Sequence, residues 1–139
     1  MLIINNVNNM KKLVITMAAL AVTLLASANP FFHYKEWKTP HNTYPFNDIK
    51  PEHYMPAFEE GIKQGLAEID DIVNNHAAPT FANTIEAYEK SGELLSVVAG
   101  CFYNLTSAET NDELQAIAME LSPKMSEYSA TIRLNEGLF

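Results

Sequence analysis

From Phe58 to Ile132 the apolar residues recur at steps of three and four, and no strand-length run alternates at a step of two. That regularity restricts the chain to helices packed on helices, because each apolar stripe must be buried against another. Phe58, Ile62, Leu66, Ile69 and Val73 share one face of a first helix, with Glu59, Glu60, Lys63, Glu68 and Asp70 mostly elsewhere. Leu94, Val98, Cys101 or Phe102, and Leu105 mark a helix from Glu93 to about Ser107. Leu114, Ile117, Leu121, Met125, Tyr128 and Ile132 mark another. Between them, Thr80 is a candidate N-cap for a short helix through Ile85 and Tyr88, broken at Ser91-Gly92. The expected fold is all-α, with about four amphipathic helices whose short connections favour antiparallel neighbours.

The helix ends follow from local chemistry. Pro51 suits a first turn, where its missing N–H is no loss, and Glu52 adds favourable charge there. Pro56 would clash in a helix interior, so the sequence predicts a short turn over Pro51–Met55 that hands over to the main helix near Pro56. Asn74-Asn75-His76 and Pro79 end that helix. Thr110-Asn111-Asp112-Glu113 reads as a capping box, with Thr110 as the cap and Glu113 reaching back. Pro123 is expected to bend the last helix.

Two segments precede the helical part (residues 50–139). Residues 1–28 read as an export signal. Met10-Lys11-Lys12 is a basic start, Leu13–Leu25 an uncharged apolar run of 13 residues, and Ala26-Ser27-Ala28 a small-residue cleavage motif before Asn29. Met10 then becomes the expected initiator. The run is short of the roughly 20 residues that span a bilayer, so no stable membrane anchor is expected. The expected location is outside the cytoplasm, in the periplasm. Residues 29–49 form an arm with three prolines and six aromatic side chains (seven rings) and no regular period. A disordered tail is normally poor in aromatics, so the arm is expected to lie extended on a larger apolar surface, anchored by Phe31, Phe32, Trp37, Tyr44 and Phe46.

Charge and side-chain chemistry exclude several functions. The 111 residues after Ala28 carry seven basic against 17 acidic side chains, a net charge of −10. Nucleic acid is therefore not an expected partner, since phosphates demand a basic surface. Cys101, the single cysteine, rules out an internal disulfide framework and reads as a buried small hydrophobe; no histidine lies near it to activate a nucleophile. His33, His41, His53 and His76 form no H-E-x-x-H pair. His33 and Glu36 give H-x-x-E, but Trp37 stands where a second histidine would complete an inverted zinc motif. His53 reads as a hydrogen-bonding group in the helix lead-in. Glu59-Glu60 and Asp70-Asp71 are sequence neighbours, which point about 100° apart on a helix and make no acid/base couple. Asn104-Leu105-Thr106 matches a glycosylation sequon in a helical context that does not suit one. No catalytic, cofactor-binding or metal-binding residue is assigned within the chain.

Three spaced blocks do carry a family likeness. PFNDIKPEHYMPAFEEGI (Pro45–Ile62), APTFANTIEAYEKSGELL (Ala78–Leu95) and FYNLTSAETNDELQAIAMELSPKMS (Phe102–Ser126) resemble the N-terminal region of the thimet-oligopeptidase family of zinc metallopeptidases, with NPFF at Asn29 and LNEGLF at Leu134 also similar. The bacterial peptidyl-dipeptidase branch is the nearer likeness. The resemblance implies an almost wholly helical enzyme several times longer, of which this chain is the opening part. Its N-terminal helices form part of one wall of a deep channel that admits short, unfolded peptides. It also implies zinc, held by an H-E-x-x-H pair and a later Glu in the far half of the enzyme, where the metal polarises the peptide carbonyl and activates water. The substrates implied are short peptides, from whose C-termini dipeptides are released. No position of this chain matches the zinc motif. The resemblance therefore implies an inactive piece whose partner is the remainder of the same chain. The alternative is a stand-alone exported helical module that binds a peptide or a protein.

Overall fold

The structure, a computed structural model, describes residues 29–138. The segment read as an export signal, with its proposed start at Met10 and cleavage before Asn29, lies outside the described residues.

Helix α1 spans Pro51–Val73 and is the axis of the fold. It starts where the sequence places a first turn, with Pro51 at N1 and Lys50 as N-cap. The predicted handover at Pro56 does not occur, and the helix is continuous through it. Pro56 lies on the solvated side, so the Glu52 carbonyl that loses its N–H partner faces water, and the buried Tyr54, Ala57 and Phe58 hold the first turns in place. The buried stripe is also rotated from the predicted one. Tyr54, Ala57, Phe58, Gly61, Gly65 and Ile69 are buried, whereas Ile62, Leu66 and Val73 sit half-buried at its margin.

Helix α2 is short and irregular, π-wound over Phe81–Glu86 and α-helical over Ala87–Lys90. Thr80 caps it as expected. Its hydroxyl accepts the Asn83 N–H at 3.1 Å, and the Asn83 carboxamide accepts the Thr80 N–H in return. The break at Ser91-Gly92 is present too. Gly92 takes φ +70°, a left-handed conformation that suits glycine, and its N–H donates to Glu68 of α1 at 2.7 Å.

Helix α3, Glu93–Ala108, buries Leu94, Leu95, Val98, Cys101 and Phe102 against α1. Helix α4, Asp112–Arg133, buries Leu114, Leu121 and Ile132, with Ile117, Met125 and Tyr128 half-buried, which is the predicted stripe. Its cap is Asn111, not Thr110. Asn111 Oδ1 accepts the Leu114 N–H at 2.9 Å, while Thr110 accepts only from the Gln115 side chain. Either residue can cap, and the extended backbone at Asn111 decides which one does. Pro123 is exposed and the helix runs through it without interruption. Among the described residues there is no strand, so the fold is all-helical as expected.

The arm is ordered, but its backbone is not extended throughout. It coils into 3-10 turns at Pro30–Glu36 and Pro40–Asn42. The reason lies at its start. Asn29 accepts the Phe31 N–H with its side-chain oxygen and donates to the His53 carbonyl at 2.8 Å, while the Trp37 indole N–H folds back onto the Pro30 carbonyl. Phe31 is completely buried, Phe32, Trp37 and Tyr44 are half-buried, and the fifth expected anchor, Phe46, is about half exposed. Phe46, Tyr44, Trp37, Phe31, Tyr54, Phe102 and Phe58 form one chain of ring contacts, with successive centroids 5.0 to 6.2 Å apart, that runs from the arm into the α1–α3 core. Such tilted and edge-on pairs each add about 0.5–1.5 kcal/mol beyond area burial. Lys35 and Glu93, 2.8 Å apart, tie the arm's rim to the first turn of α3.

Candidate functional site

Several of the side chains that could carry chemistry are engaged in the fold. His53 closes the start of α1, its Nδ1 accepting the Lys50 N–H at 3.0 Å, which is the hydrogen-bonding role expected of it. Cys101 is fully buried on α3, 3.5 Å from the Tyr54 hydroxyl. Burial pushes its thiol above the usual range, which disfavours the thiolate a nucleophile needs. Burial likewise raises Tyr54, with the neighbouring Cys101 adding to the effect. The adjacent carboxylates diverge as helix geometry requires. Glu59 pairs with Lys124 of α4, whereas Glu60 accepts from Gln64 and Lys63, which together hold it below the usual carboxylate range. Asp70 and Asp71 are exposed. The Asn104 side chain donates to the Gly100 carbonyl inside α3.

Zinc, the metal implied by the family likeness, does not fit this set of residues. Among the described residues no three His, Cys, Asp or Glu side chains come together to hold a metal ion. His33 and Glu36, 3.9 Å apart, are both exposed and gain no third ligand; His41 is exposed in a 3-10 turn and His76 in the loop after α1; the His53 Nδ1 is already bonded. Among the described residues no nucleophile–base pair forms either, and the remaining features lie on their surface.

Two parts of that surface stand out. An open groove runs between α3 and α4, lined by Tyr103, Ala118, Ser122, Met125, Ser129 and Arg133. The other is α2, whose apolar side chains point outward: Phe81, Ile85 and Tyr88 are exposed, whereas Asn83, Thr84 and Ala87 take the half-buried positions. The sequence reading placed Ile85 and Tyr88 on this helix but missed its inversion. The signal was present as Phe81, Ile85 and Tyr88 at steps of four and three, set against the polar and small residues Asn83, Thr84 and Ala87. Among the described residues no helix is long and apolar enough to cross a membrane.

No protein-family model matches the chain. Individual relatives do. The chain is 47% identical to a dipeptidyl carboxypeptidase of Salmonella typhimurium over 100 residues, which is 72% of this chain and 15% of the relative. It is 42% identical to the dipeptidyl carboxypeptidase of Escherichia coli over 117 residues, 83% of this chain and 17% of the relative. Oligopeptidase A of Escherichia coli is 27% identical over 101 residues, 73% of this chain and 15% of the relative. This chain, all-helical among its described residues, is therefore homologous to peptidyl-dipeptidases and oligopeptidases of the thimet-oligopeptidase type, over a stretch that amounts to 15–17% of those relatives' length.

Proposed function

We propose that this chain supplies a helical wall segment to an exported zinc metallopeptidase that releases dipeptides from the C-termini of short peptides. By itself the chain is inactive, and the zinc ligands of the working enzyme lie in a part of the protein not matched here. The observation that carries this reading is the 47% and 42% identity to two dipeptidyl carboxypeptidases, spread over most of the chain. The roles found for His53, Cys101, Glu59 and Glu60 support it, because each is used structurally: Cys101 and Glu59 link α1 to its neighbours, and His53 and Glu60 bond within α1 and its cap. In such an enzyme the helices would limit access to the channel, and specificity for short peptides would come from that wall.

Two measurements test the proposal. The purified 139-residue chain with added zinc should neither retain the metal stoichiometrically nor release a dipeptide from an N-terminally blocked peptide. A chimera in which this chain replaces the matching stretch of the Escherichia coli dipeptidyl carboxypeptidase should release that dipeptide. Zinc-dependent release by the chain alone would overturn its inactivity. A folded, zinc-loaded chimera with no peptidase activity would overturn the assignment to the wall. Export is tested separately, by mass spectrometry of a periplasmic extract, where the expected N-terminus is Asn29.

A further inference from the structure

We propose that the outward face of α2, made by Phe81, Ile85 and Tyr88, is the seam against which an apolar helical segment from the unmatched remainder of the peptidase chain packs. This rests on the reading above. The face is inverted for a free-standing helix: Phe81 is 73% exposed, Ile85 50% and Tyr88 38%. An amphipathic helix on a finished protein turns its apolar stripe inward. Here the inward positions hold Asn83, Thr84 and Ala87, and Asn83 spends its polar atoms on the Thr80 N–H and the Ala78 carbonyl. Helix α2 is thus fixed by its cap and by the Gly92–Glu68 hydrogen bond, which leaves its apolar stripe for something else.

The stripe is continuous with a second surface. Tyr88 shares a recess with Met125, Tyr128, Ser129 and Ile132 of α4, so the seam extends from one helix to the next. The matched stretch is only 15–17% of the relatives' length, which leaves ample chain to cover it. A second copy is a poor fit. Stable dimers bury about 800 Å² on each partner, and Phe81, Ile85 and Tyr88 with the small recess they adjoin on α4 supply less. The net charge of −10 after Ala28 also opposes self-association. A segment of the same polypeptide needs no such area, because its association is not opposed by the loss of free translation and rotation.

Cysteine labelling tests the seam, since native Cys101 is fully buried. Ile85→Cys and, as a control on the exposed first turn of α4, Glu113→Cys are made in the 139-residue chain and in the chimera. Modification by a thiol reagent is followed by mass spectrometry of the labelled peptide. In the chimera Ile85→Cys should react about 10-fold or more slowly than in the chain alone, because access there requires local opening, while Glu113→Cys changes by no more than about 2-fold. Equal rates for Ile85→Cys in both settings would overturn the seam and make the face an open channel surface. Protection in the chain alone that grows with protein concentration would also overturn it, in favour of a second copy. Dipeptide release by the chimera reports on the family reading independently of the labelling. If the chimera does not accumulate, the same two cysteines are placed at the aligned positions of the Escherichia coli enzyme. Labelling at the first position as fast as in urea overturns the proposal.

Discussion

Gly61→Ala should destabilise the protein even though alanine is the better helix former. Gly61 is buried where α1 crosses α3, and a Cβ added there would lie 2.9 Å from Leu95 Cα, 3.0 Å from Leu95 N and 3.1 Å from Leu95 Cβ. Carbon atoms prefer about 3.5–4.0 Å, and the opposing atoms are mostly backbone, so the two helices must separate by roughly 0.5–1 Å. A gap of that size forfeits about a quarter to a half of the dispersion energy of each contact it opens. The contacts at stake are those of Phe58, Leu94, Leu95, Val98 and Phe102. Overpacking of this kind costs about 1–3 kcal/mol, while replacing Gly by Ala in a helix returns about 1 kcal/mol. Because the clash is mainly with the Leu95 backbone, which cannot swing aside, the upper part of that range applies, about 2–3 kcal/mol, and the net expectation is a loss of about 1–2 kcal/mol, or about 4–8 °C in Tm for a domain near this size. Gly65→Ala is the internal control. Its Cβ would meet the Tyr128 hydroxyl at 2.6 Å, the far end of a half-buried side chain that can move aside. Gly65→Ala should therefore be near neutral, and Tyr128→Phe should make it more favourable. Thermal and urea melts followed by circular dichroism measure all three. A Gly61→Ala variant as stable as the parent would refute the close α1–α3 crossing.

Three further outcomes are expected. Asn111→Ala should cost about 1 kcal/mol in a urea melt and Thr110→Ala only a few tenths, because Asn111 accepts the Leu114 N–H; the reverse order would restore Thr110 as the cap. Cys101 should resist a thiol reagent in the native protein and react fully in denaturant, since burial both shields the thiol and raises its pKa; rapid native labelling would contradict the packing of α3 on α1. Glu93 is held below its ordinary value of 4.5 chiefly by Lys35 and then by Tyr34, so the stabilisation it gives is complete above that value and is lost as the pH falls through the lower native pKa. Because the pair is exposed, the effect should be small and weakened by salt; a urea midpoint whose acid dependence is unchanged by Glu93→Gln would remove Glu93 from that account.

The helices were legible wherever one face is apolar and the other polar. The stripe from Leu114 to Ile132 is wholly of that kind, and it was read correctly. The stripe of α1 was misplaced in part because its buried positions include Gly61 and Gly65, which carry no apolar side chain for a periodicity to register. Their burial follows from a neighbouring backbone and from Tyr128, which are tertiary facts. Pro56 misled for a related reason: a proline's penalty depends on whether the carbonyl it orphans can reach water, and that depends on which face is solvated. The arm's aromatic anchoring was legible from composition. Its 3-10 turns were not, because they follow from the contacts of Asn29 and Trp37 with His53 and Pro30.

Stability and exposed surface point in different directions along this chain, and the difference bears on function. The arm, α1 and α3 share one aromatic and aliphatic core that includes Phe31, Tyr54, Phe58 and Phe102, and this part holds most of its apolar surface inside. Helix α2 contributes no fully buried side chain, although it keeps a reciprocal cap and a glycine-mediated link to Glu68. A helix of this length is marginal in water unless tertiary contacts support it. Its geometry is therefore specified locally, by Thr80, Asn83 and Gly92, while its apolar face is left without a use among the described residues. Selection for this chain's own stability does not account for Phe81 and Ile85 facing solvent, since polar residues there would leave the cap and the core untouched. Packing against a longer chain, as proposed above, would account for them, and the matched stretch covers only 15–17% of the length of the two dipeptidyl carboxypeptidases.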